Sequence, residues 1–176
     1  MATIWIFLLS AALVGLDQLT KYLATLFLAG QGGVPFIPGV LEFRYALNQG
    51  AAFSMLTGYR WLLIIVTAAA LAAVLYILLS HKLHFKSQEL CLIFIFSGGV
   101  GNLIDRILHG YVVDFFHTVF MEFPIFNVAD SFIVIGVILL LFLMLRQELK
   151  ERRKKRMKTR QKTSQTDGET NDAGQL

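Results

Sequence analysis

Trp61–Leu79, WLLIIVTAAALAAVLYILL, is an uncharged run headed by an aromatic residue. A bilayer crossing needs about 20 consecutive apolar residues as helix. This stretch therefore reads as a transmembrane span, and three further runs read the same way. Ile4–Leu28 precedes it, Leu90–Leu108 follows a short basic loop, HKLHFK at residues 81–86, and Val128–Leu145 is the last. Bulk composition agrees: 56% of the residues are hydrophobic, 16% are charged, and the mean hydropathy is +0.62. Soluble domains carry charge on roughly a quarter of their residues. The chain is a membrane protein, and its 176 residues allow one compact unit of a few spans.

The first run differs from a cleavable leader. It has no basic start, is too long for the apolar core of a secretion signal, and contains Asp17 and Lys21. The segment LFLAG at its end is followed by Gln31, so the run is read as a retained helix. Between it and the second span, Gly30–Gly58 is too polar to cross. Within that segment VLEFRYAL alternates, with Leu41, Phe43, Tyr45 and Leu47 against Glu42 and Arg44, which is the period of a strand with one apolar side. The expected fold is an all-α membrane protein of four transmembrane helices, with a small extracytoplasmic β segment at about 34–56 between helices 1 and 2. The four-helix domain occupies 1–149, and the basic then polar segment 150–176 is expected to be a disordered cytoplasmic tail.

Charge distribution sets the sidedness. The net charge of +4 and pI near 9.3 could suggest nucleic acid. Ten of the sixteen Lys and Arg, however, lie between Arg146 and Lys162. That segment and the loop 81–86 fall on one side, which the positive-inside rule makes cytoplasmic, with both termini inside. Topology and anionic lipid account for the basic run without nucleic acid. Cys91 is the single cysteine, so no intrachain disulfide or Cys-rich metal site is available.

With that topology the polar residues of the spans fall at one depth, the outer one. Asp17 and Lys21 lie in the outer half of the first helix, Asn102, Asp105 and Arg106 at the outer end of the third, Asp114 just outside, and Asn127 and Asp130 at the start of the fourth. Ionisable groups at membrane depth mark a functional site by default. The alternative is a structural network: Asp17 with Lys21, Asp105 with Arg106, and Asp130 as a helix cap. Asp114 and Asp130 then remain without an evident cationic partner, in YVVDFFHTVFMEFPIFNVAD at 111–130, a stretch made almost wholly of Val, Phe and Ile around them. Two carboxylates close together in apolar surroundings cannot both ionise cheaply, which is what a shared-proton acid/base pair needs. Ser54, Ser97 and Ser131 have no triad context. His109 and His117 are eight apart with no metal-binding motif, so they read as interfacial side chains. GGVG at 98–101 lies within an apolar span, where close helix packing explains it. An ion-coupled transporter would place polar groups through the full thickness and often carries repeats, whereas here the inner halves are apolar. A scaffold acting through its basic tail is a third class, and deletion of 150–176 separates it from the others.

Five blocks in order, DQLTK at 17–21, NQGAAF at 48–53, GGVGNLIDR at 98–106, VVDFF at 112–116 and FNVAD at 126–130, resemble the bacterial lipoprotein signal peptidases, or signal peptidase II. The likeness spans roughly residues 12–145. It implies an intramembrane aspartic endopeptidase of the inner membrane that cuts prolipoproteins immediately before a diacylglyceryl-modified cysteine. It further implies catalysis by Asp114 and Asp130, near the outer leaflet. Asp17, Lys21, Asn48, Asn102, Asp105, Arg106 and Asn127 match positions that support the pair or bind substrate, and the segment 34–53 matches a substrate-cradling sheet. Neither metal nor organic cofactor is implied, since water is the nucleophile. The expected partners are the lipid-modified substrate and membrane lipids, with the chain acting as a monomer.

Overall fold

The computed structural model describes the backbone of residues 2–50, 56–80 and 86–172, and the side chains of 4–50, 56–80 and 86–154. The basic loop at 81–85, Ser54 and the AAF of NQGAAF lie outside the described residues. In chain order the elements are α1 (Ala2–Leu28), β1 (Val34–Ile37), β2 (Leu41–Asn48), α2 (Arg60–Leu79), α3 (Lys86–Leu108), β3 (Val112–Thr118) and α4 (Val128–Asp172). The described chain forms two units, Met1–Ile138 and Leu139–Leu176, and every site residue named above lies in the first.

Among the described residues four helices are long and apolar enough to cross a membrane: Ile4–Leu28, Arg60–Leu79, Lys86–Leu108 and Val128–Lys154. Their outward positions are Phe7, Leu8, Leu62, Ile65, Val134, Ile138 and others of that kind, all well exposed. Lipid tails are as apolar as leucine, so these faces contribute nothing to helix association, which must come from close packing and interhelical hydrogen bonds. α3 is the central helix: 50% of its most apolar stretch is buried within the protein, against 22%, 22% and 11% for α1, α2 and α4. α1 and α2 both pack on it. Its glycines allow the approach of α4 and α1. A β-carbon on Gly98 would run into the Ala129 carbonyl, and one on Gly101 into the Asp17 carboxylate. From the other side Gly136 of α4 lies against the Cys91 carbonyl, with 2.7 Å left for any added β-carbon, and Phe94 stacks on Phe132.

The helix ends are closed by named groups. α1 stops where Gly30 takes a left-handed φ of +78° and Gln31 N–H returns to the Leu28 carbonyl at 3.0 Å. The last carbonyls of α3 receive the Arg60 guanidinium, at 2.8 Å from Arg106 O and 2.7 Å from Ile107 O. A cation there opposes the negative end of the α3 dipole and ties the start of α2 to the end of α3.

The sheet has three antiparallel strands in the order β1-β2-β3, one more than the sequence between helices 1 and 2 supplies. β3 follows α3, and its pairing runs from Leu41 opposite Thr118 to Asn48 opposite Val112. The register slips between Phe43 and Ala46. A bulge of this kind changes which face later side chains take. Phe43 and Tyr45 keep to the apolar side, packed on Ala24, Val113 and Phe115. Leu47, which strict alternation groups with them, is instead exposed. Ala46 comes opposite Asp114, so Asn48, two residues on, shares the Asp114 face.

The second unit continues the α4 helix. Composition marks the segment after about 145 as the end of the span and 150–176 as disordered, whereas the helix runs on to Asp172. Glu148 and Arg152, one turn apart, pair at 2.6 Å on its exposed surface, a spacing that favours helix modestly.

Candidate functional site

Two groups of polar side chains meet where α1, α3, β3 and α4 converge. The first is ionic and fully enclosed. Lys21 Nζ lies 2.9 Å from Asp17 Oδ2 and 3.0 Å from Asp105 Oδ2, with all three residues at most 3% exposed. The expected neighbour pair of Asp105 with Arg106 is not formed. Adjacent residues on a helix point about 100° apart, so Asp105 turns to α1, while Arg106 donates to the Gly50 carbonyl at 2.9 Å. Gln18 completes the group, its amide donating to Asp105 Oδ1 at 3.0 Å and to Asp17 Oδ2 and Gly101 O at 3.2 Å each. The two acids also hold backbone, Asp17 through its remaining oxygen and Asp105 through the oxygen that faces Lys21. Ala129 N–H donates to Asp17 Oδ1 at 2.9 Å and Val113 N–H to Asp105 Oδ2 at 3.3 Å. Asp17 thus binds the open N-terminal end of α4, where an anion is favoured, and Asp105 fixes the strand one residue before Asp114.

The second group is built from asparagines. Asn127 is the N-cap of α4: its Oδ1 accepts from Asp130 N–H at 2.9 Å, while its own N–H donates to Asp130 Oδ2 at 3.1 Å, a reciprocal capping box. With its oxygen so engaged, the Asn127 amide nitrogen faces Asp114 Oδ1 at 2.6 Å and Asn102 Oδ1 at 3.2 Å. Lys21 also donates to Asn102 Oδ1, at 2.9 Å. Both bonds hold Asn102 with its nitrogen outward, and that nitrogen donates to Asp130 Oδ1 at 2.7 Å. Asn48 is fixed the same way, its Oδ1 taking Gly50 N–H at 2.9 Å and its nitrogen reaching Asp114 Oδ2 at 3.0 Å. An amide can be turned either way, and here each is turned by a partner that can only donate.

The outcome is that Asp114 and Asp130 accept from amides, and neither makes an ion pair among the described residues. Both line one cavity of about 520 Å³, together with Asn48, Asn102, Arg106 and the α4 residues Ile133 to Ile135. Asp114 is 2% exposed. Burial first, and then the Asp130 carboxylate beside it, push the Asp114 carboxyl from its ordinary 3.8 up to about 6. The amides of Asn48 and Asn127 pull the other way and are outweighed.

Every residue singled out in the sequence (Asp17, Lys21, Asn48, Asn102, Asp105, Arg106, Asp114, Asn127 and Asp130) is a member of this connected network or of the cavity wall. Gln18 and Arg60 are contributors that sequence reading passed over. Gln18 lies inside DQLTK, beside the acid it bonds, whereas nothing in the local sequence sets Arg60 apart from an interfacial anchor. His109 stacks on Tyr111, and His117 Nδ1 lies 2.8 Å from Glu42 Oε1 across the sheet.

The family model for signal peptidase (SPase) II matches residues 9–146. A lipoprotein signal peptidase of Streptococcus pyogenes serotype M2 (strain MGAS10270) is 44% identical over 128 residues, covering 73% of this chain and 84% of that protein. The serotype M1 protein is 43% identical over 129 residues, covering 73% and 85%. Two solved bacterial membrane enzymes superpose with TM-scores of 0.74 and 0.72 at 34% and 35% identity, covering 81% and 80% of this chain and 88% and 92% of theirs. Four membrane-capable helices, the enclosed polar layer and these likenesses over most of the chain lead to one conclusion: it belongs to the signal peptidase II family, the multi-pass membrane peptidases that process lipoprotein signal peptides.

Proposed function

We propose that this chain is an aspartic endopeptidase that cuts the signal peptide from prolipoproteins immediately before a diacylglyceryl-modified cysteine. Asp114 and Asp130 are the reacting pair. One carboxyl holds a proton and gives it to the scissile carbonyl oxygen, while the other, ionised, takes a proton from the attacking water. The apparent pKa values belong to the pair. The observation that carries the reading is the contrast in hydrogen-bond partners within one polar layer: Asp17 and Asp105 share a lysine, whereas among the described residues the two acids on the shared cavity accept from amides and make no ion pair, with Arg106 standing in the same cavity wall. Amide donors orient a carboxylate without fixing its charge, so it remains free to exchange a proton.

The sidedness follows from charge. The basic segment from Arg146 to Lys162 is on the cytoplasmic side, which puts both termini inside and the pair near the outer leaflet. A lipid-bearing substrate then enters from the bilayer past Ile133 to Ile135, with its acyl chains kept in apolar surroundings and water reaching the bond from the sheet side. The chain acts as a monomer in this reading, with every group named for catalysis supplied by one copy.

The test is cleavage of a purified diacylglyceryl-prolipoprotein by the wild type and by Asp114→Asn and Asp130→Asn. Each variant is expected to lose at least about 10²- to 10⁴-fold in rate, the range for a positioned acid or base. Each should also keep its thermal transition in detergent. Substantial cleavage by either variant would remove that residue from the mechanism.

A further inference from the structure

The cavity already described is not the only one that Asp114 lines. A second, of about 570 Å³, opens on the sheet side and is bounded by Ala46, Asn48, His117, Glu122 and the segment Phe123–Ile125. Phe123, Pro124, Ile125, Asn48 and Asp114 border both. Asp114 therefore sits at a partition. On one side lie Ile133, Val134 and Ile135 of a membrane-spanning helix, and on the other lie Asn48 and His117 of the sheet and Glu122 of its connecting loop.

The charges on the sheet side are unbalanced. Glu42 takes the Arg44 guanidinium at 3.0 Å and lies 2.8 Å from His117 Nδ1, so its charge is already met by Arg44. Glu122 is exposed on the loop and has no ion pair among the described residues. A carboxylate left free on the wall of a cavity favours a cation in it and repels an anion.

We propose that this sheet-side cavity is the subsite for the residues of the substrate that follow the modified cysteine, and that Glu122 makes it favour a basic over an acidic side chain there. The inference rests on the peptidase reading above. The signal segment and the acyl chains are apolar and belong against α4. The basic start of the signal peptide lies at the far, cytoplasmic end of its apolar run, so the mature polypeptide beyond the cysteine is the polar part of the substrate at the level of the pair, and the sheet-side cavity is the polar exit next to Asp114.

The full chain in detergent, given three diacylglyceryl-prolipopeptides that differ only in Lys, Gln or Glu directly after the modified cysteine, provides the test. For the wild type kcat/KM is expected to fall in the order Lys, Gln, Glu, with about a tenfold spread between the ends. Glu122→Gln should shrink the Lys-to-Glu ratio to about twofold, and Glu122→Lys should invert it. A ratio within one enzyme is insensitive to partial loss of folded protein, and Glu122, being exposed on a loop, can be changed without opening the core. Equal cleavage of all three peptides by the wild type, or a ratio that survives Glu122→Lys, overturns the subsite while leaving the peptidase intact. Cleavage of none of them by the wild type overturns the peptidase reading itself and the subsite with it.

Discussion

Asp17 and Asp105 lie at the same level of the bundle as Asp114 and Asp130, and all four are carboxylates drawn from water into an apolar protein. The first two straddle one ammonium at 2.9 and 3.0 Å. The second two receive three asparagine amides and a backbone N–H. Desolvation is similar in kind for both sets, so the partner decides the behaviour. A cation fixes charge and ties three elements together, whereas an amide fixes orientation and leaves protonation open. The same residue type thus serves as a structural tie in one set and, in the proposed mechanism, as reactant in the other. Asn102 joins them, bonded to Lys21 at its oxygen and to Asp130 at its nitrogen.

That comparison fails if the lysine can be removed without loss of fold. Lys21→Met leaves two enclosed acids facing each other with no cation, and breaking a buried pair by deleting one partner costs on the order of 3–5 kcal/mol. The expected outcome is a large fall in the detergent melting temperature and loss of activity by unfolding, with the Asp17→Asn, Lys21→Met double variant partly recovering stability. Asp114→Asn, by contrast, is expected to melt no lower than the wild type near neutral pH. A Lys21→Met protein as stable as the wild type would show that the cluster is not a tie.

Acidity sharpens the same contrast. The Asp114 carboxyl is raised from 3.8 to about 6 in the folded protein, which corresponds to on the order of 3 kcal/mol between its two protonation states. Because the folded pKa lies above the unfolded one, the stabilisation by this group is complete below about 3.8 and is lost as pH rises through about 6. The melting temperature of Asp114→Asn minus that of the wild type should therefore increase between about pH 4 and pH 7 and level off above it. A difference flat across that window would mean that Asp114 ionises in the fold as freely as in the unfolded chain. The amide's own hydrogen bonds shift the curve by a constant and leave its slope unchanged.

Much of this arrangement is legible in the sequence because it depends on depth. Depth along a helix is counted in residues, so the common level of Asp17, Asn102, Asp105 and Asp130 follows from span boundaries, and a spacing of three puts Asn127 and Asp130 on one face, although the cap is Asn127 and not, as the sequence alone suggests, Asp130. What was not legible is azimuth and long-range register. Asp105 and Arg106 are neighbours in sequence yet point apart, and only the packing of α1 against α3 decides that Lys21 takes the aspartate. β3 joins the sheet across a separation that no local period records, and the slip between Phe43 and Ala46 puts Asn48, rather than Leu47, on the Asp114 side. The helix beyond Leu145 was hidden for a different reason. Its composition is polar enough to read as disorder, while Glu148 and Arg152 provide a helical pairing that composition does not weigh.

The smallest effect expected within this comparison belongs to the asparagines, and two of them can be ranked. Asn127 donates to Asp114, donates to Asn102 and caps the helix that carries Asp130. Asn48 donates to Asp114 alone, with its oxygen held in its own turn. Leaving a buried acceptor without its donor costs about 1–3 kcal/mol, and loss of an N-cap costs about 1 kcal/mol in addition. Asn127→Ala is therefore expected to lower kcat by about tenfold to a hundredfold and to lower the melting temperature as well. Asn48→Ala should lower kcat by about tenfold or less with the melting temperature nearly unchanged. Measuring both quantities for both variants checks the order. If Asn48→Ala proves the more damaging, the turn at Gly50 that Asn48 anchors, through which Arg106 is also held, is the stronger constraint on Asp114 than the cap of α4.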